Sequence, residues 1–263
     1  MSRLQDYVDC QRKFELKHIL KIKWPAIECK PYNDYERNIV DGQHFHQLIH
    51  QHQVGLPLDL LQYQAQALDM VKWWNAYLSF ITQFELPSMR YPEYRLSTIY
   101  NEHIIIGQYD LLAIDPEVRM VIVDWKTSTH KTSIARQMER IQSRFYPFLF
   151  ISAGKPLNIN NEIRPESIEM IYWFANFPAQ LIHLKYSSEN YHQDQLFFDN
   201  LLEEIINKKP GQFLLTGNHK FCLNCSYQSF CDRGSSAGPL SDDIDEINQD
   251  ISVLMTDQIT GFD

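Results

Sequence analysis

Hydrophobic positions change their period several times along this chain. Over residues 3–20, Leu4, Tyr7, Val8, Phe14, Ile19 and Leu20 recur near helical spacing, and Ser2 suits an N-cap, so the pattern predicts a first helix. Pro25 and Pro31 end that region. Residues 33–52 and 59–84 predict a second and a third helix. Pro87 and Pro92 then mark a switch to β-type patterning. Residues 94–100, 104–114 and 120–125 are apolar and rich in β-branched side chains. Asn101-Glu102 and Pro116-Glu117 stand where turns are needed, so the three stretches predict an antiparallel meander. Helical spacing returns over 134–151. Two strands, 167–177 and 180–186, meet at Phe177-Pro178, and a further helix covers 189–208. A Cys-rich segment occupies 222–231, and 234–239 reads as a linker. There is no internal repeat. Helices, three strands, a helix and further strands indicate an α/β sandwich with a helical insertion.

Composition narrows the class. The chain has 263 residues, 44% hydrophobic and 22% charged, which fits one large domain with or without an appendage and excludes global disorder. The longest apolar run, 145–153, is interrupted by Pro147 and is too short to span a bilayer. With no basic-then-apolar leader, a cytoplasmic location without a membrane partner is expected. The net charge of −9 argues against a nucleic-acid binder until it is located. Seven acids (Asp242, Asp243, Asp245, Glu246, Asp250, Asp257 and Asp263) fall within 241–263, which has no Lys or Arg. Residues 1–240 therefore hold 26 acids against 24 bases, and a local basic patch remains available. The acidic tail, 234–263, is expected to be mobile.

Five cysteines are present, and Cys222, Cys225 and Cys231 lie within ten residues. A disulfide does not suit a cytoplasmic setting. Zinc and an iron–sulfur cluster both do, and each takes four ligands. Cys10, in the first helix, is the strongest candidate for the fourth, with Cys29 and His219 as alternatives.

The sharpest catalytic signal is Asp124-Trp125-Lys126. Side chains at i and i+2 share one face of a strand, so Asp124 and Lys126 project together. A carboxylate that holds a divalent cation, beside a lysine that meets developing charge, suits phosphodiester hydrolysis. Taken alone, the tripeptide is better described as a surface ion pair on a sheet edge. Asp110, in Gly107-Gln-Tyr-Asp110, falls on the preceding strand, where a hairpin would bring it beside Asp124 to share a cation. Gln142 and Tyr146 share a helical face and could contact a phosphate or base, or orient the lysine. His46 is a nitrogen ligand near Gly42, although His44, His50 and His52 are close in sequence and the His46/His50 spacing also suits zinc.

In this order the motifs resemble the RecB-like branch of the PD-(D/E)XK nuclease superfamily, especially the Cas4 type and the AddB nuclease domain. The resemblance spans Ser2 to about Arg233. It rests on the opening helix with Cys10, on Gly42-Gln-His-Phe-His46 and on Glu93 opening the first core strand. It rests further on Gly107-x-x-Asp110, Asp124-x-Lys126, Gln142-x3-Tyr146 and the closing cysteines. The superfamily's Pro is absent before Asp110, where Tyr109 stands.

The resemblance implies a restriction-endonuclease-like α/β fold, a mixed sheet flanked by helices with a helical insertion and a Cys-rich C-terminal loop. One domain over 1–233 would comprise a helical part (about 30–88), a nuclease core (about 90–210) and the loop 222–231 paired with Cys10. It implies Mg²⁺ or Mn²⁺ held by His46, Asp110, Asp124 and the carbonyl of Trp125, with Lys126 catalytic. Glu93, Gln142 and Tyr146 would support that site, Glu93 by binding a second ion or holding Lys126. It implies a [4Fe–4S] cluster on Cys10, Cys222, Cys225 and Cys231. It also implies exonuclease-type hydrolysis of DNA, single-stranded or with free ends. No nucleotide-binding G-x4-G-K-[ST] motif is present, so the chain is expected to be a stand-alone nuclease module or to need a separate motor, with a helicase or CRISPR adaptation proteins as candidate partners. The alternative is a DNA-binding or assembly module that retains the fold without catalysis.

Overall fold

The structure, a computed structural model, describes residues 3–23, 31–234 and 252–254. Its opening is three short pieces rather than one helix: α1 (Arg3–Asp9), α2 (Gln11–Phe14) and a π-helical turn (Glu15–Ile19). Cys10 separates the first two in an extended conformation, with φ −163° and ψ 107°. Helix α3 (Pro31–Gln53) follows. The long helix expected over 59–84 is two, α4 (Leu58–Ala67) and α5 (Val71–Gln83). Asp69, between them, adopts a left-handed φ of 57°, which no helix accommodates.

The meander forms as β1 (Met89–Tyr100), β2 (His103–Asp115) and β3 (Arg119–Lys126). Asn101 and Glu102 both have positive φ, the geometry of the tight hairpin turn between β1 and β2. Helices α6 (Ile134–Met138) and α7 (Ile141–Ala153) lead to β4 (Ile168–Phe174) and β5 (Leu181–Lys185). Then come α8 (Ser188–Asn207), capped by the Ser187 hydroxyl, and α9 (Lys220–Leu223).

The sheet order is β1-β2-β3-β4-β5, with β3 and β4 parallel and the other pairs antiparallel. The fold is therefore α/β, a mixed sheet flanked by helices, consistent with the restriction-endonuclease-like fold. Alternation along β3 divides the core. Met120 and Ile122 pack toward α7 and α8; Val121, Val123 and Trp125 pack toward α3, α4 and α5. Gly107 permits the close seating of α7, because a Cβ there would lie 2.8 Å from Leu149 Cδ2. Of the acidic tail only Gly234 and Ser252–Leu254 are described. Ser252–Leu254 forms β6, paired antiparallel with Ile104–Ile106 of β2, and the mobility expected for the rest concerns residues outside the described ones.

Candidate active site and cysteine cavity

Strand register builds the site. Pro92 pairs with Leu111, Tyr94 with Tyr109, and Leu111 with Val123. The same register carried one step further sets Glu93 opposite Asp110 and Asp110 opposite Asp124. Three acids thus form a row across three adjacent strands, where β2 and β3 cease to pair. Contrary to the expectation that Glu93 opens its strand, β1 starts four residues earlier, at Met89. Its φ of 49° is uncommon for a residue with a side chain, and such conformations persist where the surroundings enforce them. Across from this kink β2 changes face. Tyr109 packs with the α7–α8 core, yet Leu111, two residues on, packs with the α3–α5 core.

Helix α3 brings His46 to the row. Phe45, Leu48 and Ile49 are buried in the α3–α5 core, and Gly42 lets the helix approach the end of β3, where a Cβ would meet Thr127 Oγ1 at 3.0 Å. His46 Nδ1 lies 3.6 Å from Asp110 Oδ1. Ligand atoms of His46, Glu93 and Asp110 all fall within 4.8 Å of one another, which suits one hard divalent cation. The other Asp110 oxygen, Oδ2, accepts the Trp125 N–H at 2.8 Å.

Asp124 and Lys126 lie on the opposite side of the strand from Trp125, both buried. Lys126 Nζ is 2.7 Å from Asp124 Oδ2 and donates to Gln142 Oε1 at 3.2 Å. Gln142 Nε2 donates in turn to Asp124 Oδ1. The amide thus bridges both members of the pair, while the Tyr172 ring lies under the ammonium, 5.7 Å from it. Tyr146 is 1% exposed, and its hydroxyl donates to the Gln108 carbonyl at 2.5 Å. Here it fixes α7 to β2 and offers no surface to a phosphate or base. Gln108 was not singled out by sequence; its amide donates to Glu93 Oε2 at 2.7 Å and accepts from Arg95. Its position inside the Gly107-x-x-Asp110 stretch was the available signal. His52 is remote from the row, hydrogen-bonded to the Tyr77 hydroxyl at 2.8 Å.

The electrostatics follow from crowding acids at a buried point. Burial raises Asp124 most, Asp110 adds to it, and Lys126 only partly opposes, leaving it at about 7. Burial and Asp110 also raise Glu93. Burial works against charge on His46, but Asp110, Glu93 and Asp124 outweigh it and raise the imidazole to about 9. Burial would raise Asp110, yet His46, Lys126 and the Trp125 amide hold it below its ordinary value.

The family model of the PD-(D/E)XK nuclease superfamily matches residues 1–232. The chain belongs to this superfamily. No curated protein matches it significantly. Among solved structures, a protein from Eubacterium rectale named "Putative exonuclease" aligns with a TM-score of 0.47 and 8% identity, covering 79% of this chain and 81% of that one. The protein SSO0001 aligns with a TM-score of 0.35 and 12% identity, covering 79% and 76%. None of the described helices is long and apolar enough to cross a membrane.

The nuclease has a second constellation. Cys10, Cys222, Cys225 and Cys231 line one small cavity with Lys13. His219, an alternative ligand, does not line it, and Cys29 lies outside the described residues. Burial and the neighbouring thiols raise Cys225 and Cys231, while Arg233 Nη1 reaches Cys222 Sγ at 3.1 Å. The four thiols are free.

Proposed function

We propose that this nuclease is a RecB/Cas4-type, metal-dependent deoxyribonuclease that acts on single-stranded or frayed DNA ends. The observation that carries the reading is the row Glu93–Asp110–Asp124, faced by His46 and flanked by the Asp124–Gln142–Lys126 bridge. Oxygen and nitrogen donors converge there beside a buried cation, which is the chemistry a scissile phosphate requires. A bound Mg²⁺ or Mn²⁺ supplies Lewis-acid stabilisation of phosphate charge and acidifies water. His46, Glu93 and Asp110 would hold it, and Asp124 and the Trp125 carbonyl would be further ligands. Lys126 directs its ammonium at charge developing on the phosphate, and Gln142 restricts both Lys126 and Asp124 to one arrangement. Tyr146 acts at a distance, by fixing the strand that carries Asp110.

The four cysteines are assigned to a [4Fe–4S] cluster on the resemblance to the cluster-bearing nucleases, and zinc would take the same four ligands. Lys13 and Arg233 offset the cluster's negative charge. Repair, recombination and CRISPR adaptation all supply DNA ends of the proposed kind, and a separate helicase or adaptation protein fits the lack of a motor motif. The test is hydrolysis of end-labelled DNA across a Mg²⁺ and Mn²⁺ titration. Cleavage that requires metal and disappears in Asp110→Asn is expected; metal-independent cleavage, or full activity in the variant, overturns the site. Iron absent from anaerobically purified protein, with zinc in its place, overturns the cluster.

A further inference from the structure

A groove of about 620 Å³ lies beyond the carboxyl ends of the parallel strands β3 and β4. Lys131, Thr132 and Ser133, after β3, form one wall; Phe177, Pro178 and Gln180, in the β4–β5 turn, form the other. In the sequence, Phe177-Pro178 predicts only the junction between two strands. The walls are tied to each other and to the catalytic strand. Asn176 Nδ2 donates to the carbonyls of Thr127 and Ser128 at 3.0 and 3.1 Å, and Gln180 Nε2 donates to that of Thr132 at 2.5 Å. The groove is therefore held in fixed relation to Lys126, five residues before Lys131, a span of at most about 18 Å.

Its chemistry is that of an unpaired nucleotide. Phe177 is half-buried and presents a ring face, over which the Lys131 ammonium stands 5.7 Å from the centroid. A ring face open to an exposed lysine is open to a base, and displacement of the ammonium frees it for the adjoining phosphate. Charge agrees. Residues 129–140 hold Lys131, Arg136 and Arg140 against the single acid Glu139, in a chain of net charge −9. Arg140 lies near enough to Tyr172, the neighbour of Lys126, to influence its hydroxyl, so the basic stretch runs back toward the catalytic pair.

We infer that this groove is a strand-binding subsite: Phe177 stacks an unpaired base a few nucleotides from the scissile phosphate, and Lys131 contacts the phosphate beside it. This rests on the nuclease reading above. The test uses the full chain in metal-free buffer and a fluorescent single-stranded oligonucleotide, with affinity read by anisotropy. Phe177→Ala is expected to weaken binding about tenfold, the scale of one lost base stack, and Phe177→Trp to preserve it. Lys131→Ala, at an exposed position, is expected to weaken binding about threefold and to flatten its salt dependence. Independently of any variant, an oligonucleotide carrying 5-iodouracil is expected to photocrosslink wild-type protein at the peptide containing Phe177. Wild-type affinity in both alanine variants, or crosslinks confined to other peptides, overturns the subsite while leaving the nuclease reading standing. If the wild type neither binds nor cleaves the strand, the DNA-cleaving reading fails first and takes the subsite with it.

Discussion

At the residue scale the decisive feature is how protons and cations share the buried acids. His46 is raised to about 9 and Asp124 to about 7, so a metal entering near neutral pH displaces a proton from the imidazole. Both groups are proton-bearing below their raised values, so metal affinity must rise with pH. The Kd for Mn²⁺, measured by calorimetry on the full chain, is expected to fall about tenfold per pH unit between about 7 and 9, and more steeply below 7. His46→Gln is expected to remove the upper part of that slope; a wild-type affinity independent of pH contradicts this assignment. Gln142 offers a second check. Gln142→Ala leaves Lys126 and Asp124 paired but loses both bridging hydrogen bonds. Turnover is expected to drop by about 10–100-fold with circular dichroism unchanged, as expected for misplacing a reacting group. Full turnover in that variant would remove the orienting role.

Among the elements, the meander and the carboxylate spacing were legible because period-2 alternation and turn residues are local. Asn101 and Glu102 announced their turn, and Asp124 and Lys126 declared a shared face. What was not legible depended on tertiary contacts. The break at Asp69 leaves α4 and α5 with uninterrupted helical periodicity in sequence. Cys10 sits in an extended residue that helical spacing hid. Glu93 entered as an acid opening a strand, and neither its left-handed backbone nor the change of face at Asp110 has a one-dimensional signature. Gln108 was passed over because its value lies in three contacts from other parts of the chain. The packing of α7 on β2 gives a prediction on this scale. Gly107→Ala drives a methyl into Leu149 and is expected to cost about 1–3 kcal/mol, read as a lower urea midpoint at unchanged slope. An unchanged midpoint would show that α7 shifts freely.

Across the whole molecule, the first helices and the last described segment are joined by hydrogen bonds. Arg12 N–H donates to Leu214 C=O, Lys208 reaches the Tyr7 hydroxyl at 3.1 Å, and the Tyr227 hydroxyl donates to the Ile22 carbonyl. Asp6, 1% exposed, gathers Lys13, Lys17 and His18. Burial would raise Asp6, but His18 and the two lysines outweigh it and hold it far below the carboxylate range. A depressed carboxylate stabilises above its unfolded pKa of about 3.9, and that stability is lost as pH falls toward the folded value. Asp6→Asn is therefore expected to lower the melting temperature at pH 7, with the gap to wild type closing on acidification below about 4. An equal gap at all pH values would mean that Asp6 acts by packing alone. The account as a whole stands on the catalytic row. The most direct measurement is cleavage of end-labelled single-stranded DNA with Mg²⁺ or Mn²⁺, comparing anaerobically purified wild type with Lys126→Ala. The account predicts metal-dependent cleavage by the wild type and a loss of about a hundredfold to a thousandfold in the variant. Comparable cleavage by both proteins, or none by wild type of verified iron content, would contradict it.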